Sequence, residues 1–207
     1  MPAADAFGSF QPCSPSEMHS LLHTATFPWW IAGGWAIDLF VGQQTRHHDD
    51  IDIEVLRQDL RALRHMFATW EMHAPHPSVR STAWPFVAWP PETLPSDDVY
   101  NVWCRPTSTA PWVFEILIAN NDNDQWLCRR DPSIHRSLDL LVLFTSEGIP
   151  YLTPEIQLLY KAKDPRPKDQ LDFLHALPLL TAGQHAWLAE SLAQIAPQHE
   201  WLAALTA

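Results

Sequence analysis

Two aspartates, Asp50 and Asp52, stand one residue apart in the segment HHDDIDIEV. In a β-strand alternate side chains share one face, so both carboxylates would point the same way while Ile51, Ile53 and Val55 face a core. Two neighbouring carboxylates repel each other unless a cation lies between them, and Mg2+ prefers oxygen ligands of this kind. The spacing therefore predicts a metal-binding pair on a strand. The alternative is a solvated strand end.

A glycine pair, Gly33-Gly34, precedes the aspartates by one short predicted helix. Glycines at the start of a helix let backbone N–H groups approach a phosphate, whose negative charge the helix dipole favours. A tight turn is the alternative for the glycines alone. A phosphate-binding turn and a carboxylate pair within one supersecondary unit together predict chemistry on a nucleoside triphosphate.

A third carboxylate, Glu115, lies in the segment WVFEILI, which alternates like a strand. A charged group inside a sheet is costly unless it is paired or bound to a metal. Glu115 is therefore the candidate third acidic residue, and the alternative is a glutamate on the solvated face of an edge strand. His47 and His48 have no third His or Cys at ligand spacing, so we do not predict zinc.

The order of patterns along the chain predicts an α+β fold, with a mixed sheet flanked by helices. Short strands and helices alternate first, at Trp29–Ala32, Gly34–Phe40, Asp50–Leu56 and Arg57–Trp70. From Met72 to about Thr145 we expect antiparallel strands that extend the first sheet. Helices return after Gly148, so we predict a main domain over residues 1–150 and a small C-terminal helical region over residues 151–207.

The composition limits the partners. The net charge is −11 with only 13 Lys and Arg, which argues against nucleic acid and is more compatible with a small, cationic partner. No segment has the length of a membrane span, and the first dozen residues do not resemble a signal peptide. Three cysteines give no disulfide framework, so we expect a reducing cytoplasm. The sequence does not indicate the oligomeric state.

The stretch WWIAGGWAIDLFVGQQTRHHDDIDIEVLR resembles the signature of the nucleotidyltransferase (DNA polymerase beta-like) superfamily. It is particularly similar to the branch of aminoglycoside 2''-adenylyltransferases and lincosamide nucleotidyltransferases. The dense match covers about residues 29–57, and a looser one runs through FEILIAN, RRDPSI and PYLTPEIQLLYKAKDPRPKDQLDF. The third carboxylate is usually Asp in the resembling enzymes, so Glu115 departs from the pattern.

The resemblance implies an enzyme that uses two Mg2+ ions and ATP or another nucleoside triphosphate. Asp50, Asp52 and Glu115 would hold the metals, and Gly33, Gly34 and Arg46 would contact the phosphates, for which a guanidinium is geometrically suited. Lys161 is a further phosphate contact implied by the YKAK match, and a solvated lysine is its alternative. Asp38 is interpreted as a structural hydrogen-bond acceptor.

The implied reaction moves a nucleoside monophosphate, AMP from ATP, to a hydroxyl of a small antibiotic-like acceptor such as an aminoglycoside or lincosamide. Whether Glu115 binds metal, accepts a proton or does both is left open by the sequence. Two other hypotheses stay open. One is a nucleotidyltransferase of the toxin–antitoxin type that modifies a protein or a tRNA, and the other is a non-catalytic nucleotide-binding remnant.

Overall fold

The computed structural model describes residues 8–75 and 86–206. The described residues fall into two compact units. The first consists of the described parts of Met1–Trp30 and His48–Ala119, and the second of Ile31–His47 and the described part of Asn120–Ala207. The segment from Met72 to about Thr145, predicted to form antiparallel strands, lies partly outside the described residues.

The α-helices of the described residues are α1 (Pro15–Leu21), α2 (Gly33–Val41), α3 (Leu60–Met66), α4 (Pro154–Lys161), α5 (Pro167–Ala176), α6 (Ala182–Ile195) and α7 (Trp201–Leu205). The strands are β1 (Trp29–Ala32), β2 (Asp52–Leu56), β3 (Glu71–Pro75), β4 (Phe86–Ala88), β5 (Asn101–Arg105), β6 (Phe114–Asp122), β7 (Gln125–Leu127), β8 (His135–Ser137), β9 (Val142–Phe144) and β10 (Pro150–Leu152). Single 3-10 turns occupy Arg57–Asp59, Leu138–Leu140 and Leu177–Leu179.

The first unit contains strands in the order β4-β3-β5-β6-β2. Neighbouring strands are antiparallel except β6 and β2, which run parallel with Ile116 opposite Ile53. Strand β6 pairs antiparallel with β5, as predicted for the later strands, and it pairs with the earlier strand β2 in parallel. The long connection from β2 to β6, through α3 and three strands, leaves room for the crossover that a parallel pair requires.

The second unit also combines both kinds of pairing. The end of β1 runs parallel to β10, with Ile31 opposite Tyr151, and β9 pairs antiparallel with β10. The hairpin of β7 and β8 pairs with the last residues of β6, and α4 to α7 follow. The predicted α+β class, a mixed sheet flanked by helices, is confirmed.

Local signals explain where several elements begin and end. Ser14 and Glu17 form a capping box at the start of α1, and the strand predicted at Trp29–Ala32 is confirmed. Helix α2 begins at Gly33, whose φ of 67° favours glycine, and ends before Gly42 at φ 83°.

The helix predicted over Arg57–Trp70 is shorter than expected, because α3 ends at Met66. The rings of Phe67 and Trp70 both pack on Phe114 of β6, at centroid distances of 5.4 and 5.6 Å. This aromatic packing turns the chain toward β3, which begins at Glu71.

Ile51, just before β2, and Ile53 and Val55 within it are buried as the alternation predicts, but Glu54 and Leu56 are buried as well. The boundary near residue 150 between a main domain and a helical region stays a prediction. No helix among the described residues is long and apolar enough to cross a membrane.

Candidate functional site

The Asp-x-Asp segment lies at the beginning of β2. The strand starts at Asp52, so Asp50 precedes it by two residues, although the alternation predicts a strand from Asp50 onward. The N–H of Glu115 donates to the carbonyl of Ile51 over 2.9 Å. The backbone between the two aspartates is thereby fixed to β6, and both aspartates are partly exposed.

Glu115 is brought to the aspartates by the parallel pairing of β2 and β6. Its backbone is directly opposite Asp52 on one side and opposite Trp103 of β5 on the other. Strand β6 therefore lies inside the sheet, and the edge-strand alternative for Glu115 is wrong. Residues that are opposite each other in register share a face of the sheet, so Asp52 and Glu115 are neighbours on one face.

Two side chains of β5 hold the Glu115 carboxylate. The Asn101 amide donates to Oε1 over 2.6 Å, and Trp103 also donates to this carboxylate. The pKa of Glu115 is raised to about 7. Burial is the largest cause and the negative charge of Asp50 acts in the same direction, whereas the hydrogen bonds from Asn101 and Trp103 lower the pKa. Glu115 is thus a partly buried carboxylate beside a like charge, oriented by two donors.

These three carboxylates have the chemistry that a divalent cation requires. All their donor atoms are oxygens, which Mg2+ prefers as ligands. The raised pKa of Glu115 means that its surroundings disfavour the negative charge of the carboxylate, and a bound cation would stabilise that charge. Among the described residues, however, no group of three or more His, Cys, Asp or Glu side chains is close enough together to hold a metal ion as placed. The donor types fit Mg2+, and the metal assignment of Asp50, Asp52 and Glu115 stays a prediction.

The glycine turn lies in the second unit. The backbone N–H of Gly33 donates to the side-chain oxygen of Gln157 on α4 over 2.7 Å, and this contact is buried. Gly34 follows as the second residue of α2. The phosphate role of Gly33 and Gly34 stays a prediction. The Gly33 N–H already donates to a protein acceptor, the side chain of Gln157.

Arg46 and Lys161 belong to one network of charged side chains in the second unit, which we call the ion-pair network. Its members are Arg46, Lys161, Arg166, Asp169 and Asp172. The Nε and Nη2 atoms of Arg46 bind the two carboxylate oxygens of Asp172 at 2.8 and 3.0 Å. This bidentate pair joins the loop after α2 to helix α5.

Lys161 connects the two carboxylates of the network. Its Nζ lies 3.1 Å from Asp169 and 2.8 Å from Asp172, and Arg166 binds Asp169 at 2.7 Å. Lys161 is buried, so the alternative of a solvated lysine is wrong. Its phosphate role stays a prediction.

Asp172 and Asp169 show how this network is balanced. Burial alone would raise the pKa of Asp172, but hydrogen bonds and charges from Arg46 and Lys161 hold it below its ordinary value. Arg166 and Lys161 do the same for the pKa of Asp169. Asp38, interpreted as a structural acceptor, binds the Thr45 hydroxyl at 2.6 Å.

Sequence reasoning named Trp103 only among several tryptophans that could line a pocket, and it did not identify Asn101, Asp169 and Asp172. A signal existed for the last two, because PKDQLD places two carboxylates three residues apart on one face of a predicted helix. No local pattern marks Asn101 and Trp103, whose importance follows from the register of β5 with β6.

Comparison with known proteins agrees with the motif. The family model of aminoglycoside-2''-adenylyltransferases matches residues 16–77. A 2''-aminoglycoside nucleotidyltransferase from Escherichia coli is 51% identical over 39 residues, which make up 17% of this chain and 22% of that protein. A 2''-aminoglycoside nucleotidyltransferase from Klebsiella pneumoniae matches to the same extent. The chain thus spans about a fifth of the length of these relatives in the matched region.

Two solved structures share the fold over most of the chain. ANT(2'')-Ia in complex with adenylyl-2''-tobramycin aligns with 88% of this chain and 98% of its own, at 18% identity and a TM-score of 0.52. The lincosamide antibiotic adenylyltransferase LnuA, lincomycin-bound, aligns with 77% of this chain and 92% of its own, at 18% identity and a TM-score of 0.51.

The predicted resemblance is therefore confirmed: the chain is similar to aminoglycoside-2''-adenylyltransferases over residues 16–77, and it shares the fold of ANT(2'')-Ia and the lincosamide adenylyltransferase.

Proposed function

We propose that this chain is a Mg2+-dependent nucleotidyltransferase that moves AMP from ATP to a hydroxyl of a small antibiotic-like acceptor. The observation that carries the proposal is the register of β2 with β6, which places Asp52 opposite Glu115 and brings Asp50 close enough to raise the pKa of Glu115. The match of residues 16–77 to the aminoglycoside-2''-adenylyltransferase family supports it.

Glu115 accepts the proton of the acceptor hydroxyl in this proposal. The hydroxyl oxygen bonds to the α-phosphorus of the donor, the bond to the bridging oxygen breaks, and pyrophosphate leaves. A carboxylate is one of the side chains that serve as a general base, and the register keeps this one beside Asp52. The donors Asn101 and Trp103 keep the carboxylate in one orientation.

Asp50, Asp52 and Glu115 would hold the metal ions. Mg2+ bound there would supply Lewis-acid stabilisation of the charge on the phosphate oxygens and lower the pKa of the acceptor hydroxyl. The chain's own contribution is to fix these oxygens on adjacent strands, so that positioning and charge neutralisation supply much of the rate.

The donor phosphates would be bound by Gly33, Gly34, Arg46 and Lys161. Arg46 and Lys161 bring positive charge, but both already bind Asp172.

The relatives support the proposed acceptor class. The matched proteins are 2''-aminoglycoside nucleotidyltransferases, and the structural neighbours contain adenylyl-2''-tobramycin or lincomycin. We place the reaction in the reducing cytoplasm, where ATP is available and where the three unpaired cysteines would stay reduced.

The test is pyrophosphate release with Mg2+ and either ATP or GTP, screened over tobramycin, lincomycin and related acceptors. Mass spectrometry of the product should show an acceptor that has gained the mass of AMP. The variant Asp50→Ala/Asp52→Ala should be inactive, and Asp139→Asn, which changes an exposed acidic residue, should be as active as the wild type.

Transfer by the Asp50→Ala/Asp52→Ala variant would show that the metal assignment is wrong. An AMP mass on a protein or RNA, with no small acceptor modified, would refute the antibiotic-like acceptor.

A further inference from the structure

A cavity of about 490 Å3 lies in the first unit, near the beginning of β3 and the end of β5. Among the residues that line it are His73, Arg105, Ser108, Thr109 and Trp112. None of the roles proposed above involves these residues. The lining combines a guanidinium, an imidazole, two hydroxyls and an indole, which suits a polar ligand rather than a purely apolar one.

The strand register connects this cavity to the carboxylates. His73 is opposite Trp103, Trp103 is opposite Glu115, and Glu115 is opposite Asp52. These four residues form one row across one face of the sheet. Two strand spacings of roughly 4.8 Å separate the backbone of Glu115 from that of His73, about 10 Å in total.

Aromatic contacts continue the row into the cavity wall. The ring of Trp103 lies 5.7 Å from that of Trp112, and the Trp112 ring lies 5.0 Å from the imidazole of His73. The guanidinium of Arg105 lies over the Trp112 ring at 4.2 Å. Trp103 therefore contacts the Glu115 carboxylate on one side and the cavity wall on the other.

The charges at the cavity are nearly balanced. Glu71 binds Nη2 of Arg105 at 3.0 Å and Nε2 of His73 at 2.5 Å. Burial would raise the pKa of Glu71, but hydrogen bonds from Arg105 and His73 hold it below its ordinary value. The carboxylate thus compensates the guanidinium, and no excess negative charge is left to attract an ammonium group.

Two polar atoms at this cavity are left over. Arg105 Nε and His73 Nδ1 are buried and have no hydrogen-bond partner among the described residues. Arg105 Nε can only donate a hydrogen bond, whereas His73 Nδ1 donates or accepts according to the tautomer of the ring. A hydroxyl group both donates and accepts, so it satisfies such a pair, whereas an ammonium cannot accept from Arg105.

We propose that this cavity binds the hydroxyl-bearing end of the acceptor, the end remote from the hydroxyl that reacts. The inference rests on the proposed nucleotidyl transfer and extends it, because it assigns acceptor specificity to His73, Arg105, Ser108 and Thr109. The reacting hydroxyl would lie at Glu115, two strands away from His73 in the register of β3, β5 and β6. A hydroxyl-bearing ring is recognised there in preference to an ammonium-bearing one.

The experiment measures binding and turnover of lincomycin and tobramycin by two variants. Arg105→Lys keeps the charge and removes the Nε–H donor, and Ser108→Ala/Thr109→Val removes two exposed hydroxyls with little risk to folding. Each should raise the KM and the Kd of the acceptor by roughly threefold to tenfold, the cost of one or two hydrogen bonds. The kcat and the KM for ATP should stay the same.

Controls and contrary outcomes separate this inference from the proposed function. Arg61→Lys, an exposed residue of α3, should behave as the wild type. If the variants bind both antibiotics as the wild type does, or if the wild type binds neither by calorimetry, the cavity assignment is overturned. Binding that the variants weaken, without pyrophosphate release from ATP or GTP, would support the cavity and refute the proposed reaction.

Discussion

The carboxylates of the first unit and those of the second are placed in opposite electrostatic surroundings. Glu115 is near a like charge, Asp50, and its pKa is raised to about 7. Asp172, which is fully buried, binds Arg46 and Lys161, and its pKa is lowered. Burial acts in the same direction on both residues, so the difference comes from the charge of the neighbours.

This contrast separates chemistry from structure. Like charges held together cost free energy, and proteins tend to keep such arrangements where a cation or a proton is used. Compensated charges buried between helices join those helices, and removing one partner is costly. We therefore expect changes in the first unit to act on rate and changes in the ion-pair network to act on stability.

The largest effect is expected at Asp52. Asp52→Asn removes a charged oxygen ligand and should lower kcat by roughly a thousandfold, the equivalent of several kcal/mol of transition-state stabilisation. The urea midpoint of unfolding should not fall. Steady-state kinetics at saturating Mg2+ measures the loss, and Asp139→Asn is the matched control. Activity within a factor of ten of the wild type would remove Asp52 from the site.

The next effect concerns the ion-pair network. Asp172→Asn leaves Arg46 and Lys161 without their shared carboxylate and should lower the free energy of unfolding by roughly 3 to 5 kcal/mol. Urea titration at neutral pH measures it, with Glu190→Gln on the exposed side of α6 as control. An unchanged midpoint together with a raised KM for ATP would instead indicate that the network serves phosphate binding alone.

The pH dependence of stability should distinguish the two kinds of carboxylate. The pKa of Glu115 rises on folding from 4.5 to about 7, so its contribution to stability is present below pH 4.5 and is lost as pH rises through 7. Glu115→Gln cannot ionise and should gain stability relative to the wild type between about pH 5 and about pH 8, by up to roughly 3 kcal/mol. Urea titrations with a chelator present measure this difference.

Asp172 gives the contrasting case for that measurement. Its lowered pKa contributes stability above the unfolded value of 3.8, and this stability is lost as pH falls through the folded pKa. The cost of Asp172→Asn should therefore be the same at about pH 5 and about pH 8. A Glu115→Gln difference that is equally flat with pH would contradict the raised pKa of Glu115.

The smallest effect is expected at Asn101. Asn101→Ala removes the hydrogen bond of 2.6 Å to Glu115 and should lower kcat by roughly tenfold, as expected for a hydrogen bond to a charged group. The KM for ATP should not change. Gln198→Ala, an exposed amide, is the control, and a variant that loses ATP affinity instead would place Asn101 outside the role of orienting Glu115.

Local patterns predicted much of the fold where the signal lies within a few residues. The capping box of Ser14 and Glu17, the strand at Trp29–Ala32 and the glycine that ends α2 are all encoded by neighbouring residues. The apolar spacing after β2 predicts a helix that continues through Phe67 to Trp70, but the helix ends at Met66. Those rings instead pack on Phe114, 44 residues after Trp70 in the chain.

The sequence alone determined the residue types that can do the chemistry: the glycine pair, Asp50 and Asp52, and an isolated Glu115 in an apolar strand. Alternation and composition are local properties, and a single chain displays them directly. Only the tertiary structure decided the partners of those residues, namely the parallel register of Asp52 with Glu115 and the pairing of Arg46 and Lys161 with Asp172. Such pairings join residues far apart in the chain, and they depend on which strands and helices pack together rather than on any repeat that the sequence contains.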